Sequence, residues 1–279
     1  MKKLSITLAA LLLLVFVVFP AALHAQVEIQ TRKLRISDFT VKTTKVVLAG
    51  SDIFNVSLQE EVSRRWMASP FEFCSVEEYE RLREDPGYYF LVPRHLLKGK
   101  DEDESGISIL SLIKGGKGED AIEVVSVPYS PSDASSGREL IYLPALLHII
   151  QEFAVEAMSS DQVTVKGLRG FMKGMGKARH HRVVVSGNDI APAARGNKLI
   201  KSGKVEVLDE DEADELFDSG AQKTIVSYMV APAYPVKGSV CYCYLISADS
   251  HELYYFKRHV IKKESAAGFQ AADLKAAAR

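Results

Sequence analysis

Hydrophobic and polar positions follow one order along this chain, twice. Lys45-Val-Val-Leu-Ala-Gly-Ser-Asp-Ile53 reads as a strand running into a turn, and Arg182-Val-Val-Val-Ser-Gly-Asn-Asp-Ile190 repeats it with five of nine positions identical. Phe71-Glu-Phe-Cys-Ser75 and Val205-Glu-Val-Leu-Asp209 then alternate as short strands ending in a residue suited to cap a helix. Ser75 with Glu78, and Asp209 with Glu212, have the spacing of a capping box. Tyr79 and Leu82 supply the apolar face of the first helix, and Ala213, Leu216 and Phe217 that of the second.

Strands closed by proline follow at Tyr88–Pro93 and Tyr228–Pro232. Two β-rich runs come next in each half, Ile107–Ile113 with Ile122–Val127, and Val240–Ile246 with Leu253–Ile261. Each half ends in a helical pattern, Glu139–Met158 and Ala266–Ala278. An early helix over Ser57–Trp66 has a much weaker counterpart in the second half. The order β-α-β-α-β-β-β-α, met twice, predicts an α+β fold of two duplicated units. Each unit is expected to be a mostly antiparallel sheet with helices packed on one face. The units span 26–158 and 182–279, with 159–181 as a basic bridging segment.

Composition narrows the class. The 279 residues are 47% apolar and 25% charged, which excludes wholesale disorder and a multi-span membrane protein. A net charge of −1 argues against a nucleic-acid partner, which calls for a strongly basic surface. Residues 1–25 have the form of a signal peptide: Lys2 and Lys3, an apolar stretch from Ile6 to Phe19, a break at Pro20, and a small residue at Ala25. Cleavage near Ala25 would place the product in the periplasm or outside the cell. No cysteine follows the apolar stretch to carry a lipid, and no later segment is expected to span a bilayer.

Cys74, Cys241 and Cys243 are an odd set for an oxidising compartment. Cys241 and Cys243 are two apart and share a face if strand-bound. No further Cys or His stands beside them in sequence, so no metal ligands are assigned. Burial as small hydrophobes is the first reading, and a bridge from Cys74 to Cys241 or Cys243 is its rival.

Other motifs carry no chemistry. Gly170–Ala178 imitates a phosphate loop, but Phe171 and Ala178 stand where glycine and a hydroxyl residue are needed. The acids of Asp209–Glu215 miss calcium-loop spacing at Ala213 and Asp214, and suit the start of a helix. Asp101–Glu104 reads as a solvated loop tip within Lys98–Gly106, and Ser130–Gly137 as a second exposed connection. Of the seven histidines, the six beyond residue 25, His95, His148, His180, His181, His251 and His259, stand apart except for one adjacent pair. No catalytic or cofactor-binding residue is assigned and no cofactor is expected. The candidate site is the acid-free stretch Gln162–Asn188, where Lys166, Arg169, Lys173 and Lys177 would line one face of a helix. That patch suits an anionic partner. Its rival is a bridging helix packed on one repeat, since four glycines weaken the helix.

The second half, from Val205-Glu-Val-Leu-Asp-Glu-Asp-Glu through Ser239-Val-Cys-Tyr-Cys-Tyr-Leu-Ile-Ser-Ala-Asp-Ser-His-Glu-Leu-Tyr, resembles the N-terminal domain of the TolB translocation protein and the related curli-secretion lipoprotein. Asp249-Ser250 occupies the hairpin turn of that pattern. The chain as a whole is similar to uncharacterised secreted proteins of Bacteroidetes, through Trp66, Ser69-Pro70-Phe71-Glu72-Phe73-Cys74 and Tyr88-Tyr89-Phe90. The resemblance implies an envelope interaction module without catalysis, whose partner is an envelope protein or an anionic envelope component. An open sheet edge would suit such a partner. The alternative is a secreted enzyme with its site in the groove between the repeats, marked by converging polar groups of shifted pKa.

Overall fold

The computed structural model describes residues 32–95, 106–132, 134–263 and 265–278. The expected leader 1–25, the expected cleavage near Ala25 and the acidic run Asp101–Glu104 fall outside the described residues. The first unit contains β1 (Thr43–Val47), α1 (Asp52–Arg65), β2 (Phe71–Cys74), α2 (Val76–Leu82), β3 (Tyr88–His95), β4 (Ile107–Lys114), β5 (Ile122–Pro131) and α3 (Arg138–Ala157). The connection holds α4 (Asp161–Lys166) and α5 (Leu168–Phe171). The second unit contains β6 (Arg182–Ser186), α6 (Lys198–Lys201), β7 (Glu206–Leu208), α7 (Glu210–Asp218), β8 (Thr224–Val230), β9 (Val240–Ser247), β10 (Leu253–Val260) and α8 (Ala271–Ala277).

The two sheets follow one path, β2-β1-β3-β4-β5 and β7-β6-β8-β9-β10. The first strand of each lies parallel to its two neighbours, and the last three form an antiparallel meander. The expected α+β plan of two equivalent units is therefore present, with each sheet mixed. The parallel pairs arise because a helix or long loop carries the chain back between the early strands. Ser75 Oγ accepts the Glu78 N–H at 3.2 Å, and Asp209 Oδ1 accepts that of Glu212 at 2.8 Å, so both helix starts are capped as their spacing predicts. Glu78 turns its own carboxylate to the buried Lys45, 2.9 Å away. Pro93 lies inside β3 rather than ending it. The pairing of β1 with β3 runs only as far as Leu91, so the missing N–H interrupts no ladder on that side.

Helices cover both faces of each sheet, and the two units use matching faces differently. Val47, with Cys74, Phe90 and Val92, forms a small outer cluster under Tyr79 and Leu82 of α2. Its repeat partner Val184 lies in the main core, beside Ala213 and Phe217 of α7. The face turned outward in the first unit is turned inward in the second, so the units stack head to tail with α3 between them. The opposite face of the second sheet, with Val185, Cys241, Cys243 and Leu245, packs on Leu274 and Ala277 of α8.

α3 explains the stacking. Thirteen of its 20 residues are buried, among them Leu143, Leu146, Leu147, Ile150 and Phe153. A helix apolar on nearly every side needs cover on every side. Here β5 and α1 cover one flank and α7 the other, where Tyr142 also stacks on Tyr228 of β8. By length and composition α3 could cross a membrane, which the sequence reading did not anticipate. Its burial between two sheets accounts for that character.

A polar clamp crosses the same boundary at the start of α3. Arg138 is 8% exposed and makes a bidentate pair with Asp214, Nε to Oδ2 at 2.8 Å and Nη2 to Oδ1 at 2.9 Å. Its Nη1 reaches Asp189 at 2.9 Å and Glu210 at 3.2 Å. Ser227 Oγ donates to the other oxygen of Asp189 at 2.5 Å, and the Tyr142 hydroxyl donates to Asp214 at 3.0 Å. The Tyr142 ring stacks on Phe217 at 4.2 Å and on Tyr228 at 4.1 Å. Tyr228 and Tyr244 donate from the second sheet to the backbone carbonyls of Tyr129 and Pro128 on β5. Each buried charge is thus paired and hydrogen-bonded, as burial demands.

Candidate functional site

Where the two sheets diverge beyond the C-terminal half of α3, a groove of about 580 Å³ opens between the units. Its walls come from four places: Ile109, Val124 and Val125 of the first sheet, Phe153 and Ala157 of α3, Val165 and Leu168 of the connection, and Tyr242 and Phe256 of the second sheet. One side is polar. Arg94 Nη2 meets Glu123 Oε2 at 2.6 Å and Ser111 Oγ at 2.7 Å. Ser126 donates to the other oxygen of Glu123 at 2.5 Å, and Arg32 donates to the Glu123 carbonyl at 2.8 Å. One guanidinium thus holds the Glu123 carboxylate and a second holds its backbone carbonyl. Arg94 and Glu123 had no signal in the sequence, because β3, β4 and β5 must pair before the two residues meet.

The connection forms one wall of this groove, and its shape corrects an expectation. A single amphipathic helix is not present. α4 ends at Gly167, whose φ of 57° and ψ of −143° break the helix, and α5 is a single turn. A second break follows at Gly174, with φ of 79°. Lys166, Arg169, Lys173 and Lys177 are all exposed, but Lys166, Arg169 and Lys177 stand on three separate short elements and Lys173 in the link between two of them, rather than on one helical face. Lys166 and Arg169 alternate with the groove residues Val165, Gly167 and Leu168. Lys173 instead pairs with Glu252, a contact that raises its pKa. The Lys173 and Gly174 N–H groups bond the Leu253 and Tyr254 carbonyls, so the start of β10 has its edge covered. Glycine's conformational freedom decides this segment, where charge periodicity suggested a helix.

The acidic run behaves in part as expected. Glu210, Asp211 and Glu212 occupy the first turn of α7, where the helix dipole favours them. Asp214 does something the sequence did not disclose, since it is buried against Arg138 from the other unit. The cysteines divide between the units. All three are free, Cys74 in the outer cluster of the first sheet and the other two beneath α8 on the second. The contemplated bridge from Cys74 is therefore absent. Cys241 and Cys243 share a strand face as predicted, with their sulfurs 4.0 Å apart.

Two histidines meet across the unit boundary. The His148 ring of α3 lies 6.3 Å from that of His251, which also stacks on Phe217 at 5.8 Å. Burial, with the charges of Arg65 and His148, pushes the His251 pKa down to about 4. Burial also lowers that of His148. An unfolded histidine titrates near ~6.5, so between these values the unfolded chain binds more protons than the folded one. Stability is then fully present above about pH 6.5 and declines as pH falls toward 4. Thermal melts across this range should show that decline, and His251→Asn should flatten much of it. Asparagine tolerates the left-handed φ of 58° at this position. A variant profile superimposable on that of the parent protein would refute the assignment.

Compared with known proteins, the chain matches no family model, no curated protein and no solved structure.

Proposed function

We propose that this protein is a non-catalytic interaction module of the cell envelope, which receives an acidic, extended partner segment in the groove between its two sheets. The observation that carries the reading is the lining of the groove. Apolar walls of Val125, Phe153, Tyr242 and Phe256 offer area for side chains, and Arg32 and Arg94 outnumber Glu123. Lys166 and Arg169 on the wall-forming segment add to the positive side. Arg94, Glu123, Ser111 and Ser126 are hydrogen-bonded to one another, an arrangement suited to holding a ligand in register. The alternative, a secreted enzyme using the same groove, calls for acid and base groups poised on a substrate, whereas the charges here are engaged with each other. The form of the leader and the resemblance of the second half to envelope translocation domains support the location.

The test uses two probes, a labelled poly-glutamate peptide and phosphatidylglycerol vesicles. The protein is expected to bind the peptide with an affinity that falls as salt rises. Changing Lys166, Arg169, Lys173 and Lys177 together to Gln should weaken that binding roughly tenfold, and Arg94→Gln should weaken it further. Unchanged peptide affinity in both variants would remove the groove from consideration. Binding to the vesicles but not to the peptide would replace the acidic segment with a lipid surface.

A further inference from the structure

We infer that Cys241, Cys243 and His259 form a binding site for a thiophilic divalent cation of the zinc class. The three donor groups come together through strand pairing. Cys241 and Cys243 lie two apart on β9, and the antiparallel register places His259 of β10 directly opposite Cys241. Their ligand atoms all lie within 4.8 Å of one another. The two sulfurs, 4.0 Å apart, are close to the ~3.8 Å that separates two thiolates bound to one tetrahedral zinc at ~2.3 Å.

The surroundings are those of a ligand set. His259 Nε2 faces the Ala266 carbonyl at 3.3 Å, which holds the proton on that nitrogen. Nδ1 is then left with its lone pair, and it is buried without a hydrogen-bond partner among the described residues. A metal-bound histidine has this division of labour, one nitrogen donating to a carbonyl while the other ligates. The Gly268 N–H donates to Cys241 Sγ at 3.3 Å. The nearby cation Lys257 is already neutralised by Asp273, at 2.5 Å.

Charge selects the ion. Binding releases two thiol protons to solvent, and a divalent cation with two thiolates and one neutral imidazole is then electrically neutral. Neutrality is what an enclosed site under α8 requires, whereas a monovalent ion would leave a net negative charge there. A Cys241–Cys243 disulfide is disfavoured on the same strand. Residues two apart have Cα atoms ~6.7 Å apart, at the outer limit for a disulfide, and the ladder to β10 holds them extended.

The test uses the full chain, with Zn²⁺ titrated against a chromophoric chelator and Co²⁺ as the optical probe. One equivalent is expected to bind, and Co²⁺ should give the near-ultraviolet thiolate-to-cobalt band of a tetrahedral site. His259→Ala, at a half-buried position, should lower zinc affinity at least ~10-fold, and Cys74→Ser should leave it unchanged. If Cys243→Ser does not fold, protection of two thiols from alkylation by Zn²⁺ in the unmodified protein gives the same answer. The inference is overturned if the cobalt spectrum lacks the thiolate band. It is also overturned if His259→Ala binds zinc as tightly as the parent, or if protein taken from its native compartment carries a Cys241–Cys243 disulfide by mass.

Discussion

Arg138→Met is expected to destabilise the protein by about 3–5 kcal/mol, with the urea midpoint lowered and the slope retained. Methionine replaces much of the side-chain volume but strands two carboxylates. Asp189 is 0% exposed and Asp214 is 6% exposed, and both lose their cation at once. A loss of that size is a large part of the roughly 5–15 kcal/mol that holds a typical domain folded. The companion variant Arg138→Met with Asp189→Asn and Asp214→Asn should recover much of the loss, because it strands no charge. Equal stabilities of the single and triple variants would mean that packing around Arg138, not its charge, joins the units. A single variant as stable as the parent would remove the clamp altogether.

Phe217→Ala is expected to cost about 3–5 kcal/mol, the usual range for deleting a fully buried aromatic ring. The ring is 2% exposed, stacks on Tyr142 and also touches His251. Its removal opens a cavity where α3, α7 and β8 meet, and neither sheet can collapse into it while Arg138 holds the helix start in place. The variant should also soften the acid dependence, since a cavity beside His251 lets water reach the imidazole and relieves the desolvation that lowers its pKa. Chemical denaturation at pH 7 and again near pH 5 measures both effects. A loss under 1 kcal/mol would show that the ring stack does not join the units.

Much of the fold was legible because local chemistry dictates local structure. Ser75 and Asp209 capped their helices, and the β-rich runs Ile107–Ile113 and Val240–Ile246 became β4 and β9. The candidate patch was read less well. Lys166, Arg169, Lys173 and Lys177 suited a helical repeat, but the angles at Gly167 and Gly174 broke it. Glycine is permissive in either direction, so a count of charges cannot reveal which way it turned. The groove ion pair Arg94–Glu123 and the ligand set around Cys241 were invisible for another reason. Each joins residues from different strands, and strand register is a tertiary quantity.

The sequence by itself determined that two copies of one β-α-β-α-β-β-β-α unit exist, where their strands and capped helices lie, and that Cys241 and Cys243 share a face. Periodicity and capping act over a few residues and are written in each copy. Only the tertiary structure decided that the copies stack head to tail. Matching positions such as Val47 and Val184 thus face opposite fates, one on the outside and one in the common core. That choice follows from α3, whose apolar sides must all be covered at once and which a single sheet can cover on only one flank. The groove and the Arg138 clamp follow from it, and both lie where the two copies meet.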